Sequence, residues 1–295
     1  MSVYNFGSIN VDRFYQVPHL PRPGETLSAT GHETGLGGKG ANQSVAAAKA
    51  GATVRHIGMV GPDGAEMRWH LGQLGVDVTH VGSDGSVTGH ANICVDPQGE
   101  NAIVVFPGAN REQSLTRLET ALAEAKPGDF FLLQNEVNMH QEAAKLARDR
   151  GLFVVYSAAP FRAELAREML PLTDLLVLNE GEAEQLSDVL GLPLDEIPVP
   201  NVLVTRGARG AVWHDQTNGS VTEVAAVPVD PIDTTGAGDC FIGYVVAGLD
   251  QGFSREQALG LGAAAAALQV TRSGTADAMP GRDEVDKFLG EIETA

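Results

Sequence analysis

The sequence predicts a three-layer α/β fold, a mostly parallel central sheet covered by helices on both faces, with a small β appendage. Short apolar runs of strand length alternate with stretches of helical apolar spacing through most of the chain. Strand followed by helix, repeated, gives a parallel sheet buried on both sides. The rhythm breaks at residues 90–95 and 101–106, two alternating segments joined by Asp96-Pro97-Gln98-Gly99-Glu100. That hairpin signal belongs to a subsidiary sheet. The 295 residues are 43% hydrophobic and carry no repeat, low-complexity linker or second core, so a single domain is expected.

In order, residues 3–9 read as a buried strand leading into Gly7-Ser8-Ile9-Asn10-Val11-Asp12. Asn10 and Asp12 lie two apart and share one face of an extended chain. Two polar groups on one face suit a polyhydroxylated ligand, although a strand-end Asx turn accounts for the pair as well. Residues 17–34 are irregular, with Pro18, Pro21, Pro23 and Gly24. Then comes Gly35-Leu36-Gly37-Gly38-Lys39-Gly40-Ala41-Asn42-Gln43, which formally contains G-x-G-x-x-G. It is not a dinucleotide fingerprint: no buried strand precedes it and no acidic residue follows at about 20 positions. Nor is it a P-loop, because Gly40 follows Lys39 where Ser or Thr is required. What remains is a glycine loop that carries Lys39 and Asn42 into a helix over 43–50, both in reach of a bound sugar. A solvated surface lysine is the plainer account of Lys39, but its two flanking glycines make that less natural.

Strand 53–60, helix 64–74 and strand 76–81 come next. Beyond the hairpin, Thr116 and Glu119 fit a capping box that opens a helix to about residue 125. Strand 130–134 has Glu136 just past its end. Helix 138–150, strand 152–157, helix 162–170 and strand 175–178 follow, the last ending at Asn179-Glu180-Gly181-Glu182 before helix 183–190. Strand 201–205 ends at Arg206-Gly207-Ala208-Arg209-Gly210. Ligands of such sheets bind outside the carboxyl ends of the strands. Glu136, Asn179, Glu182 and Gly207 all sit there.

A β-favouring stretch, 221–229, leads to Asp233-Thr234-Thr235-Gly236-Ala237-Gly238-Asp239-Cys240-Phe241 and then an apolar helix over 241–249. Gly236, Ala237 and Gly238 let a ligand approach the main chain closely. The first N–H groups of a helix starting here lack intrahelical partners and suit a phosphate. Asp239, an acceptor when ionised, is placed to orient an attacking hydroxyl. A glycine-rich turn with an Asp cap remains the plainer reading of this stretch alone. A helix over 255–270, with alanines at 263–267 for close packing, and a charged amphipathic helix over 282–294 complete the chain.

The formal charge of −18, from 20 Lys+Arg against 38 Asp+Glu, disfavours nucleic acid and anionic membranes as partners. No apolar run reaches membrane-spanning length, and the N-terminus enters a strand pattern with no secretion signal. Cys94 and Cys240 provide neither a disulfide framework nor metal-ligand spacing, so a reducing cytoplasm is expected.

Taken together, Gly-Ser-Ile-Asn-Val-Asp at 7–12, Gly-Gly-Lys-Gly-Ala-Asn-Gln at 37–43, Asn179-x-x-Glu182, Asp-Thr-Thr-Gly-Ala-Gly-Asp at 233–239 and Val-Thr-Arg-x-Gly at 270–274 resemble the ribokinase-like (PfkB) family of sugar kinases. The resemblance spans nearly the whole chain. It implies ATP-dependent phosphorylation of a sugar hydroxyl, foremost the 5-OH of D-ribose. Deoxyribose, fructose, a sugar phosphate or a nucleoside are alternative acceptors, and a non-catalytic sugar- or nucleotide-binding regulator is the alternative of another class. It implies Asp239 as catalytic base and Gly236, Ala237 and Gly238 as the anion hole. Asn10, Asp12, Gly38, Lys39, Asn42 and Glu136 would hold the sugar. Asn179 and Glu182 would organise Mg²⁺ and the phosphates. Thr205, Arg206, Gly207, Ala208, Arg209 and Gly210, with Gly238 and Ala263, would line the nucleotide. Asp233, Thr235, Gln269, Arg272, Gly274 and Ala278 would surround a potassium ion, several through main-chain carbonyls. Residues 10–36 and 88–107 would build a four-stranded lid that also joins a homodimer. The chain departs from the family at Ala263, where His or Asn is common, at Tyr244, where a small residue is usual, and at Tyr156-Ser157-Ala158-Ala159-Pro160, which lacks the usual Asn-Pro pair.

Overall fold

The computed structural model describes residues 1–293; Thr294, placed at the end of the last expected helix, lies outside them. Strand β1 (Val3–Phe6) opens the main sheet, and β2 (Asn10–Gln16) and β3 (Gly31–Gly37) leave it for a second one. Helix α1 (Lys39–Lys49), β4 (Val54–Met59), α2 (Ala65–Gln73) and the short β5 (Val81–Gly82) return to the main sheet. The hairpin β6 (Gly89–Val95) and β7 (Asn101–Phe106) goes back to the small one. Then follow α3 (Leu115–Ala121), β8 (Phe130–Gln134), α4 (His140–Asp149), β9 (Phe153–Ser157), α5 (Ala163–Met169), β10 (Leu175–Asn179), α6 (Glu180–Leu190) and β11 (Asn201–Thr205). The chain ends with β12 (Ala211–Asp215), β13 (Ser220–Val224), α7 (Ala237–Asp250), α8 (Arg255–Gln269) and α9 (Arg282–Glu293).

The main sheet runs β13-β12-β11-β10-β9-β8-β1-β4-β5, and the small one β3-β2-β6-β7. From β11 to β5 every pairing is parallel; the β11–β12 and β12–β13 pairings at the other edge are antiparallel. Two hydrophobic cores lie on its two faces. One joins the sheet to α1, α7 and α8 through residues such as Val45, Tyr244 and Leu259. The other joins it to α4, α5 and α6 through Ala144, Met169 and Leu186. No helix among the described residues is long and apolar enough to cross a membrane.

Several expectations are corrected. Residues 31–37, read as part of an irregular stretch and a loop, are strand β3, held in register by β2. Residues 211–215 form β12, paired antiparallel with β13 across a turn that contains Asn218-Gly219, a hairpin signal the sequence reading passed over. The N-cap of α3 is Ser114, whose side chain accepts from the Arg117 N–H, and no Thr116–Glu119 capping box forms. The strand expected at 76–81 shrinks to β5 with one bridge, Arg55 to Asp77. Tyr244 fits because it is fully buried and its hydroxyl donates to Pro280 O at 2.6 Å.

Candidate active site

Strands β9, β10 and β11 end side by side, so Ser157, Asn179 and Thr205 share one rim of the sheet. Across from them lies the start of α7. Between the two is a cleft of about 240 Å³, walled among others by Lys39, Asn179, Glu182, Thr205, Gly238 and Asp239.

Gly236 precedes α7 with φ 80°, in the left-handed region that glycine enters without strain. This turn aims the helix start at the cleft. Cys240 N–H makes the first helical bond, to Gly236 O at 2.8 Å, and Ala237 N–H bonds Thr234 O at 3.2 Å. The N–H groups left without acceptors are therefore those of Gly236, Gly238 and Asp239, and Ala237 is not one of the free donors. A Cβ added at Gly238 would meet nothing within 4 Å, so the space above it is open.

Asp239 is buried at the third position of the helix. Its two oxygens accept from Asn42 Nδ2 at 3.1 Å and Gln43 Nε2 at 2.8 Å. Sequence reasoning picked out Asn42 but not Gln43, because neighbouring helical residues normally diverge. Here the carboxylate sits between them. Gln43 Oε1 in turn accepts from Gln134 Nε2 at 2.7 Å, which also donates to Asn5 Oδ1 at 3.0 Å. Asn5 Nδ2 donates to Ser44 Oγ at 2.8 Å, Ser44 Oγ lies 2.8 Å from His56 Nδ1, and His56 Nε2 lies 3.2 Å from Gly7 O. A buried row of amides thus backs Asp239.

On the small-sheet side, Asn10 and Asp12 face the same way from β2, both buried. Asn10 Oδ1 accepts from Asn110 Nδ2 at 2.8 Å, leaving its own amide nitrogen to a ligand; Asn110 had no sequence signal beyond its place after the hairpin. Asp12 has no hydrogen-bond partner, and burial, then the nearby negative charge of Glu136, push its carboxyl up to about 7. Glu136 Oε2 accepts from Lys39 N–H at 2.9 Å and from the Ser8 hydroxyl. Gly38 caps α1 with φ 93°. The Lys39 ammonium faces Asp239 most strongly, then Glu136 and Glu182, and these charges hold its pKa above the usual lysine range. It therefore stands between the two halves of the site.

On the other side, Asn179 and Glu182 form a reciprocal capping box at the start of α6. Glu182 Oε2 accepts Asn179 N–H at 2.7 Å. Burial raises the Glu182 carboxyl, against that bond and the Lys39 charge. Thr205 Oγ1 donates to Leu178 O at 3.4 Å. Gly207, Ala208 and Arg209 form one 3₁₀ turn closed by Gly210 at φ 89°. Arg206 pairs with Glu223 and Arg209 with Glu180. Ala263 packs within the core of α8 and does not wall the cleft.

Among the described residues, no group of three or more His, Cys, Asp or Glu side chains could hold a metal ion alone. Mg²⁺ in phosphoryl-transfer sites takes one or two carboxylates plus substrate phosphates, and Glu182 with Asp239 on one cleft fits that pattern. The potassium loop fits less well. Asp233 Oδ1 and Oδ2 already accept from Thr235 N–H at 2.9 Å and Gly274 N–H at 3.0 Å. Gln269 Nε2 donates to Thr235 O at 2.8 Å and Gly274 O at 3.1 Å. Arg272 turns away to Glu284 at 2.8 Å, and Ala278 N–H bonds Thr275 O at 3.1 Å.

Comparison with known proteins places this geometry. The family model described as pfkB family carbohydrate kinase matches residues 2–282. A ribokinase of Haemophilus influenzae is 36% identical over 298 residues, covering 96% of each chain. A deoxyribokinase of Salmonella typhi is 31% identical, covering 98% of this chain and 99% of its own. The structure of an Arabidopsis thaliana ribokinase complexed with ribose and ATP superposes with a TM-score of 0.86 at 30% identity, covering 98% of each chain. With its glycine-capped α7, its Asp239 and a match across nearly all its length, the chain belongs to the pfkB family of carbohydrate kinases.

Proposed function

We propose that the protein transfers the γ-phosphoryl group of ATP to a sugar hydroxyl, with the 5-OH of D-ribose as its first substrate. The observation that carries this reading is Asp239, buried beside the open N–H groups of Gly238 and Asp239 on a cleft that also exposes Lys39. Phosphoryl transfer spreads charge over equatorial oxygens, so catalysis is mostly positioning and electrostatics. The helix-start N–H groups and the Lys39 ammonium meet that charge. Asp239, fixed by Asn42 and Gln43, aligns the acceptor hydroxyl and takes its proton late. Asn10, Asp12, Gly38, Lys39, Asn42 and Glu136 hold the sugar; residues 205–210 and Gly238 hold the nucleotide. Glu182 and Asn179 would hold Mg²⁺ with the phosphates, and the ion would supply charge neutralisation there.

The net charge of −18 supports a small-molecule partner over nucleic acid or an anionic membrane. Free Cys94 and Cys240 agree with a cytoplasmic setting. Deoxyribose is the second acceptor to consider, on the deoxyribokinase similarity.

The test is ADP release from Mg-ATP over ribose, deoxyribose, fructose, fructose phosphates and nucleosides. Ribose is expected to give the highest kcat/KM. Preference for another acceptor keeps the chemistry and replaces the substrate, and silence over the whole panel makes the protein a binding module.

The four-stranded sheet is the lid of this reading. Its edge strand β7 exposes Ile103, Val104, Val105 and Phe106, each at least 50% accessible. An exposed apolar edge strand is a template for another chain, and we propose that it takes a second copy of this one. Sedimentation at micromolar concentration is expected to give a dimer that Val104→Lys dissociates; a wild-type monomer refutes it.

A further inference from the structure

Gln269, the last residue of α8, is fully buried, yet its sugar- and nucleotide-binding neighbours do not use it. Its amide nitrogen bridges the carbonyls of Thr235 and Gly274. The N–H groups of the same two residues go to the two oxygens of Asp233. Two chain segments 39 positions apart in sequence are thus clamped twice, N–H side by Asp233 and carbonyl side by Gln269. Thr235 directly precedes Gly236, the turn that opens the α7 anion site. The clamp therefore fixes the donors of the reaction.

We propose that the side-chain amide of Gln269 stands in for the monovalent cation at this loop, so that the protein works without potassium. A cation bridging Thr235 O and Gly274 O would compete with the amide for the same lone pairs. It would have to shed water and displace two hydrogen bonds made by a tethered group. The amide carries no net charge, and none is needed, because both Asp233 oxygens are already met by N–H groups. Gln269 Oε1 is buried with no donor. Reversing the amide would set that oxygen against two carbonyl oxygens with no proton between them, an arrangement that only a cation could bridge.

Turnover and Tm of the purified protein would be measured in potassium, sodium and tetramethylammonium chloride at one ionic strength, beside Gln269→Ala and the length-preserving Gln269→Met. The wild type is expected to be indifferent to the cation. The variants, with both carbonyls bared, are expected to gain potassium stimulation of roughly fivefold or more, the lower end of usual site–site coupling, and a potassium-dependent rise in Tm. A potassium-stimulated wild type overturns the proposal and makes Gln269 Oε1 a ligand. A folded variant that ignores potassium overturns it too, since the loop would then be no cation site. If neither variant folds, the wild-type response decides. The turnover arm rests on the kinase reading; the Tm arm does not, so silence towards every sugar would sink that reading and leave this one to be judged by Tm.

Discussion

Asp239→Asn is expected to lower kcat by at least ~10²-fold, the lower end of general-base loss, with ATP affinity largely kept. The carboxylate accepts from the amide N–H groups of Asn42 and Gln43, and in the proposed reaction also from the substrate hydroxyl. An amide in its place offers one oxygen and one NH₂, so Asn42 must turn its unpaired Oδ1 towards the new NH₂, and a single oxygen remains, taken by Gln43. Both the proton acceptor and its alignment are lost together. Steady-state kinetics with separately measured nucleotide affinity is the check. Turnover near the wild-type rate in the folded variant would remove Asp239 from the reaction.

Asp12→Asn is expected to move stability and sugar affinity in opposite directions. Asp12 is 8% exposed, has no hydrogen-bond partner, and titrates near 7 where a free Asp titrates near 3.8. The folded state thus holds its proton more tightly than the unfolded chain does. Its contribution to stability is full below about pH 4 and is lost as pH rises through 7. A shift of this size corresponds to up to about 4 kcal/mol. The variant should therefore melt higher than the wild type at pH 8 and equally at pH 4. It should bind sugar more weakly at pH 8, because a charged acceptor bond is worth ~1.5–3 kcal/mol, or roughly tenfold to a hundredfold in Kd. No gain in Tm at pH 8, or unchanged sugar affinity, would refute this. Such a trade of stability for binding is usual where a site keeps an unpaired buried charge ready.

Much of this site was legible because its residues lie at strand ends, where a repeated β–α rhythm fixes position from local pattern alone. Glu136, Asn179 and Thr205 follow directly from β8, β10 and β11. The glycine loop shows the limit. Its G-x-G-x-x-G was rightly refused as a dinucleotide motif, but the reasons for its glycines are tertiary. A Cβ at Gly40 would lie 2.4 Å from Ser8 N and 2.5 Å from Gly7 Cα, and one at Gly37 would lie 1.9 Å from the Asp12 carboxylate. Neither neighbour is near in sequence. Gln43 and Asn110 were missed for the same reason, since each acts through a partner about 100 or more positions away. β3 escaped because a largely exposed strand containing three glycines has no apolar alternation to read.

The row of amides behind Asp239 has one further property, its proton order. Burial lowers His56 to about 4, so the ring is neutral at ordinary pH. Gly7 O can only accept, which puts the imidazole proton on Nε2 and makes Nδ1 an acceptor. Ser44 must then give its hydroxyl proton to His56 and receive one from Asn5. Asn5 shows its oxygen to Gln134, Gln134 gives a proton to Gln43 Oε1, and Gln43 is left with its NH₂ towards Asp239. The tautomer of a fully buried ring thus decides which end of an amide the Asp239 carboxylate meets, six side chains from the carbonyl where the sequence of choices begins.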